Sequence, residues 1–225
     1  MLKTKYYNDI CEGIKKGDFK SFKKYYDYMS FEDRVKIEEY AHKFFPKQQH
    51  FKLEKILEIF DFIINKYDNK YLNIMEFGCH NGSLACQVLN EVSEISIWTG
   101  FDINVEAIKE GICNRTDRRL YFYLLNDYLY NTKIDEPCDI FISTHTLEHV
   151  SNNEFFRYVE FIKNIKYLII EIPISKSKHS YNDSHVLSFD KSTFFYILNL
   201  YGYELFYLYR YGKNNSVYVC GFKKK

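Results

Sequence analysis

Glu76, Gly78 and Gly82 stand in NIMEFGCHNGSL (residues 73–84), where an apolar run ends in a glycine turn and passes into a helical pattern. A glycine turn entering a helix offers backbone N–H groups and a positive helix end, which suit anions. Gly78 supplies a backbone conformation that residues with side chains resist. The spacing reads E-x-G-x-x-x-G, so the dinucleotide fingerprint G-x-G-x-x-G is not met. Glu76, at the tip of the run, disfavours a nearby pyrophosphate and suits an amino group or another cationic end. A second acid, Asp102, closes the next apolar run in TGFDIN. A carboxylate there can accept hydrogen bonds from both hydroxyls of a ribose. The two acids together ask for a nucleoside with a cationic part and no pyrophosphate.

Histidine is the side chain that exchanges protons near neutral pH. Of the seven in the chain, four lie in loops that follow apolar runs: His145 and His149 in THTLEHV, His179 in SKSKHS and His185 in NDSHVLSF. His179, among Lys and Ser, reads as solvent-exposed. The six cysteines are scattered with no C-x-x-C pair, so no zinc pattern appears and reduced thiols in a cytoplasm are expected.

The elements that must position these residues follow from periodicity. Residues 1–68 carry helical patterns. KLEKILEIFDFIINKY sets Leu53, Ile56, Leu57, Phe60 and Ile63 on one face, and Ser30 with Asp33 resembles an acidic capping pair. This stretch is expected to be a helical cap or lid, with a second unit at 69–225. From Tyr71 onward short strands alternate with helices: YLNIMEF, ISIWTGFD, LYFYLLND, CDIFISTHTL and KYLIIEIPI are the strands. Ser151 and Glu154 are spaced as a capping box, Asp190 is placed to cap the helix in FDKSTFFYILNLYG, and Gly202 to end it. YELFYLYRY and SVYVCGFK, joined by GKNN, read as a terminal hairpin. Five β-α alternations predict an α/β fold: a doubly wound, mostly parallel seven-stranded sheet with an antiparallel edge. Ligands in such sheets sit beyond the carboxyl ends of the strands, where the residues above are found.

Composition narrows the partners. With 46% hydrophobic and 27% charged residues the chain has enough apolar content for a packed core. Its net charge of +1 argues against nucleic acid as the favoured partner, although Lys residues gather near both ends. The 22 Tyr and 20 Phe, with only 3 Pro, fit a compositional bias and are not read as a base-stacking surface. No apolar stretch is long enough for a bilayer and the start lacks a signal-peptide run, so a cytoplasmic protein is expected.

From Tyr71 to Phe222 the chain resembles class I S-adenosylmethionine-dependent methyltransferases. EFGCHNGSL is similar to the first motif of that family, FDIN to the second, LLND to the third and ISTHTLEHV to the fourth. HVLSF with the later LYGYEL is similar to the carboxyl-terminal part of small-molecule members. The resemblance implies S-adenosylmethionine as cofactor and S-adenosylhomocysteine as product. It puts Glu76, Gly78, Cys79 and Gly82 around the methionine moiety, Asp102 on the ribose, and Ile103 against the adenine. Asn126 and Asp127 would read the adenine edge, and Thr144 and His145 would border the sulfonium and the substrate. His149 is the candidate base or a structural partner of its loop, His145 a base or a substrate contact, and His185 a substrate contact from a loop. His80 departs from the family, which commonly has glycine there, but histidine is among the residues that adopt positive φ.

No metal cluster or N-P-P-Y-like sequence is present after the fourth strand, which tilts the acceptor toward oxygen on a small molecule. By resemblance the acceptor is a sugar, a nucleotide-linked sugar or a related biosynthetic intermediate. Two alternatives stay open: a non-catalytic subunit that retains the fold, and a methyltransferase acting on RNA or protein. The oligomeric state is not readable.

Overall fold

The computed structural model describes residues 4–16, 24–25, 29–44, 51–66, 71–125, 137–174, 190–212 and 216–225. Among the described residues, the helices α1 (Thr4–Lys15), α2 (Phe31–Phe44) and α3 (Leu53–Ile64) precede the first strand. Then follow β1 (Leu72–Phe77), α4 (Ser83–Glu91), β2 (Ile95–Asp102), α5 (Val105–Asn114), β3 (Leu120–Leu124) and β4 (Ile140–Thr144). A 3₁₀ turn (Leu147–His149) leads into α6 (Asn152–Ile162), β5 (Tyr167–Pro173), α7 (Lys191–Leu200), β6 (Tyr203–Tyr211) and β7 (Val217–Lys224).

The seven strands form one sheet in the order β3-β2-β1-β4-β5-β7-β6. β1 to β5 pair in parallel, and β7 runs antiparallel to both β5 and β6. The strand order reverses between β1 and β4, which opens a crevice at their carboxyl ends. β4 and β5 read as nearly continuous apolar runs because helices cover both of their faces. The terminal hairpin is inserted so that β7, buried along most of its length, lies inside and the half-exposed β6 forms the rim.

On one face of the sheet Ile56, Phe60 and Ile63 of α3 and Leu84 and Val88 of α4 pack on Ile74, Trp98, Ile142 and Ile169. On the other, Phe155, Tyr158 and Ile162 of α6 and Phe194 of α7 pack on Phe77, Phe141, Ile170 and Phe222. α1 and α2 have a separate small core of Ile10, Ile14, Met29 and Ile37. An Arg34–Glu154 ion pair ties α2 to the start of α6.

The expected caps are present. The Ser30 side chain accepts the Asp33 N–H at 3.1 Å. Ser151 and Glu154 close a reciprocal capping box on α6. Asp190 accepts the Thr193 N–H at 3.0 Å, and Gly202 leaves α7 at φ 82°. Among the described residues, no helix is long and apolar enough to cross a membrane.

Candidate active site

The turn after β1 is built to be tight. Gly78 and Gly82 both sit at φ 78°, and His80 between them at φ 51°, so the histidine keeps the left-handed turn. A Cβ on Gly78 would come within 1.8 Å of Thr146 Oγ1, so the turn lies directly against the loop after β4. A Cβ on Gly82 would meet the Phe122 ring at 2.4 Å.

Four N–H groups of this turn have partners within the protein. Gly78 and Cys79 donate to the Phe101 carbonyl at 2.8 and 3.1 Å, and Gly82 donates to the Cys79 carbonyl at 2.9 Å. His80 N–H donates to Asp102 Oδ2 at 2.8 Å. A phosphate cradle needs such donors free; here those of Gly78, Cys79 and His80 bind the turn to β2, and that of Gly82 closes the turn on itself. Asp102 Oδ1 accepts the Asn104 N–H at 2.8 Å, and Asn104 in turn caps α5. Each carboxylate oxygen of Asp102 therefore carries one backbone bond and keeps a second lone pair for a ligand hydroxyl.

Glu76 is buried below the turn, and its Oε2 accepts the indole N–H of Trp98 at 2.9 Å. Burial pushes its carboxyl up to about 8; the Trp98 hydrogen bond opposes this and the Asp102 charge adds to it. Cys79 is likewise buried, its Sγ lying where a Cβ on Gly100 would fall at 2.8 Å. Its thiol is held well above the ordinary value, first by burial and then by the charges of Asp102 and Glu76. The side chain of Cys79 thus packs between strands, and only its backbone belongs to the turn. Ile103 is partly buried against the α6 side of the core.

At the end of β4, Thr144 pairs with Glu171 of β5, and His145 N–H donates to the Glu171 carbonyl at 2.9 Å. His145 adopts φ 52°. Its Nδ1 lies 3.3 Å from Glu148 Oε1 and its Nε2 lies 3.3 Å from Glu171 Oε1. Both carboxylates are buried. Burial alone would lower the pKa of this imidazole, but the hydrogen bonds and charges of Glu148 and Glu171 outweigh it and raise the pKa to about 9. The Tyr211 hydroxyl donates to the same Glu171 oxygen, and the Lys52 N–H reaches Glu171 Oε2 at 3.2 Å. His149 ends the 3₁₀ turn half-buried, its N–H on the Thr146 carbonyl at 2.9 Å.

Gly78, Asp102, Thr144 and His145 therefore come together at the carboxyl ends of β1, β2 and β4, with Glu76 buried beneath them. Asn126, Asp127, His179 and His185 lie outside the described residues. Glu171 and Tyr211 escape the sequence reading. Glu171 has a signal, the single acid within KYLIIEIPI, whereas Tyr211 is one of 22 tyrosines. A cavity of about 570 Å³ lined by Tyr71, Ser93, Thr116 and Arg118 opens at the other end of the sheet, before β1, β2 and β3, away from this crevice.

This architecture is the class I methyltransferase fold, as comparison with solved structures shows. The magnesium protoporphyrin IX methyltransferase of Synechocystis PCC 6803, solved with bound SAH, superposes over 88% of this chain and 89% of its own with a TM-score of 0.59 at 11% identity. The methyltransferase domain of bacterial CtHen1 superposes over 76% of this chain and 100% of its own, with a TM-score of 0.57 at 14% identity. A pericyclic reaction enzyme superposes over 85% of this chain and 52% of its own, with a TM-score of 0.61 at 9% identity. No family model matches the chain, and no curated protein matches it. At these identities the likeness defines the fold, and two of the three neighbours are named as methyltransferases and the third as a pericyclic reaction enzyme.

Proposed function

We propose that the chain binds S-adenosylmethionine in this crevice and transfers its methyl group to a small-molecule acceptor. One observation carries the reading: the left-handed glycine turn binds β2 through the Phe101 carbonyl and Asp102, and Asp102, at the strand end, keeps a lone pair on each oxygen for a ligand's hydroxyls, with the Glu76 carboxyl buried beneath the turn. That arrangement rejects a pyrophosphate and suits a ribose joined to a cationic amino acid. In support, the structural neighbours include one protein solved with both SAH and SAM.

In this reading Asp102 holds the ribose hydroxyls, and Ile103 packs on the adenine beside Asn126 and Asp127. The turn and Glu76 hold the methionine end, and Thr144 borders the sulfonium. Methyl transfer is an in-line displacement at an activated carbon, so the chain chiefly aligns donor and acceptor and keeps water out. The acceptor is a hydroxyl or other oxygen of a sugar or related intermediate, with His149 and His185 as the candidate proton-handling and substrate-contacting residues. The helical cap expected over residues 1–68 is carried by α1 and α2, of which α2 reaches the start of α6 through Arg34 and Glu154, while α3 packs into the core of the sheet.

Calorimetric titration with S-adenosylmethionine and with NAD tests this directly. Binding of the sulfonium compound alone supports the reading, and labelled methyl transfer to small acceptors then completes it. Binding of neither ligand would favour a non-catalytic subunit, and transfer only to RNA or protein a macromolecular acceptor.

A further inference from the structure

Trp98 is the single tryptophan of the chain, and its indole N–H donates to the buried acid of the candidate site. On β2 it stands in register with Ile74 of β1, while Glu76 stands in register with Gly100. The two side chains therefore share one face of the sheet and meet on the diagonal, and Gly100 has no side chain to stand between them. The indole lies 2.9 Å from Glu76 Oε2, with Trp98 fully buried and Glu76 1% exposed. Phe60 of α3 packs beside the indole, 6.4 Å between ring centres.

The surroundings of Glu76 show why this contact matters. Among the described residues no cation pairs with it, and the indole is the donor that it meets. Asp102, at the end of β2, adds a like charge, and β4 sets the apolar Ile142 in register with it. The titratable neighbours on the turn and on α4 are the thiols of Cys79 and Cys86. Both are raised by burial first; the charges of Asp102 and Glu76 add to this at Cys79, and those of Asp117 and Glu76 at Cys86. An uncharged amide or carbonyl would satisfy an indole N–H at less cost than a carboxyl, because a buried carboxylate must be desolvated. A carboxyl in this position therefore serves more than the packing of Trp98. Indole only donates, and a hydrogen bond to an ionised acceptor is the stronger, so Trp98 favours the charged form of Glu76 over the neutral one. Burial, the larger effect, pushes the other way and leaves the carboxyl at about 8.

We infer that Trp98 is a positioning residue for cofactor binding: it holds one oxygen of Glu76 in the core and stabilises the charge that Glu76 carries when it meets the ammonium of the methionine end. The inference rests on the reading in which Glu76 meets that end. Trp98 is fully buried and acts through Glu76, by raising the fraction of the free protein that is ready to bind.

The test compares the full chain with Trp98→Phe, which keeps a ring in the core and removes the donor. Binding of S-adenosylhomocysteine is measured by calorimetry across a series of pH values. The affinity ratio at matched pH is read, so titration of the ligand's own amino group cancels. Trp98→Phe is expected to bind about tenfold more weakly at about pH 6.5, the advantage of a charged over a neutral acceptor. The ratio is expected to close to within about twofold by about pH 9.5, where Glu76 is ionised in both proteins. A ratio that stays constant with pH, at any value, overturns the inference. So does a pH-dependent ratio that persists when both proteins also carry Glu76→Gln. If Trp98→Phe does not fold, the wild-type chain labelled at its indole nitrogen carries the test by NMR. Its one indole N–H signal is expected to move with a midpoint at about 8, and Glu76→Gln is expected to remove that movement. A signal indifferent to pH, or one that titrates unchanged in Glu76→Gln, overturns the inference. Failure of S-adenosylhomocysteine to bind the wild-type chain at any pH overturns the functional reading instead, and the inference falls with it.

Discussion

Glu76 is the buried carboxyl through which the proposed cofactor binding couples to protons. In the free protein burial holds its pKa near 8, so it is largely protonated at neutral pH. A cationic amino group arriving beside it favours the ionised form, so binding of S-adenosylmethionine at pH 7 should release a proton. Calorimetry in phosphate and in Tris should then give different apparent enthalpies, and Glu76→Gln should remove the difference. The same group acts on stability. The folded state holds this proton more tightly than the unfolded chain does, so its contribution is complete below pH 4.5 and is lost as pH rises through about 8. His145 has the same sign, complete below pH 6.5 and lost as pH rises through about 9. The melting temperature of the free protein should therefore fall between pH 6.5 and 9, and a flat profile would contradict both assignments. Asp102→Ala should weaken S-adenosylmethionine roughly a hundredfold, as expected when charge-assisted hydrogen bonds are removed. It also frees the N–H groups of His80 and Asn104, and unchanged affinity would remove the ribose assignment.

At the scale of elements, the crevice depends on how strands and helices end. Arg119, just before β3, donates to the carbonyls of Leu89 at 2.7 Å, Ile95 at 3.2 Å and Val92 at 3.4 Å, and pairs with Asp117. It satisfies carbonyls around the carboxyl end of α4 and fixes that helix against β2. Arg119→Ala should cost about 1–3 kcal/mol in urea unfolding, the range for carbonyls left without donors. Cofactor affinity should change little, because this anchor lies at the opposite end of the sheet. Gly78→Ala is the contrasting change. Its positive φ and the 1.8 Å approach to Thr146 make the turn and the post-β4 loop one unit, so both stability and cofactor binding should fall together.

At the scale of the whole molecule, α3 shares the core of the sheet whereas α1 and α2 pack on each other around Ile10, Ile14, Met29 and Ile37. Removal of residues 1–44 should therefore leave a cooperatively folding chain that still binds S-adenosylmethionine, with methyl transfer reduced if the cap closes over the acceptor. Loss of the cooperative transition on removal would show that the sheet needs the cap to fold.

The strand-helix alternation, the caps at Ser30, Ser151 and Asp190, and the placing of Glu76 and Asp102 at strand ends were all legible in the residues. Each depends on local periodicity or on neighbours three or four positions away. The conflict between His80 and a glycine turn could also be resolved locally, since the histidine takes up positive φ. The sheet order was less legible, because pairing β7 inside and β6 outside is decided by which strand buries more apolar surface against α7 and β5. The pairing of His145 with Glu171 and Tyr211 lay further out of reach. These residues are 26 and 66 positions from the histidine. Only the parallel packing of β4 beside β5, with β6 folded back behind β7, brings their side chains to one end of the sheet. The sequence by itself determined the elements and the two acids at the ends of β1 and β2. The tertiary structure alone decided that the turn gives the N–H groups of Gly78, Cys79 and His80 to β2 and that His145 meets Glu171, because both follow from contacts between strands that no local pattern encodes.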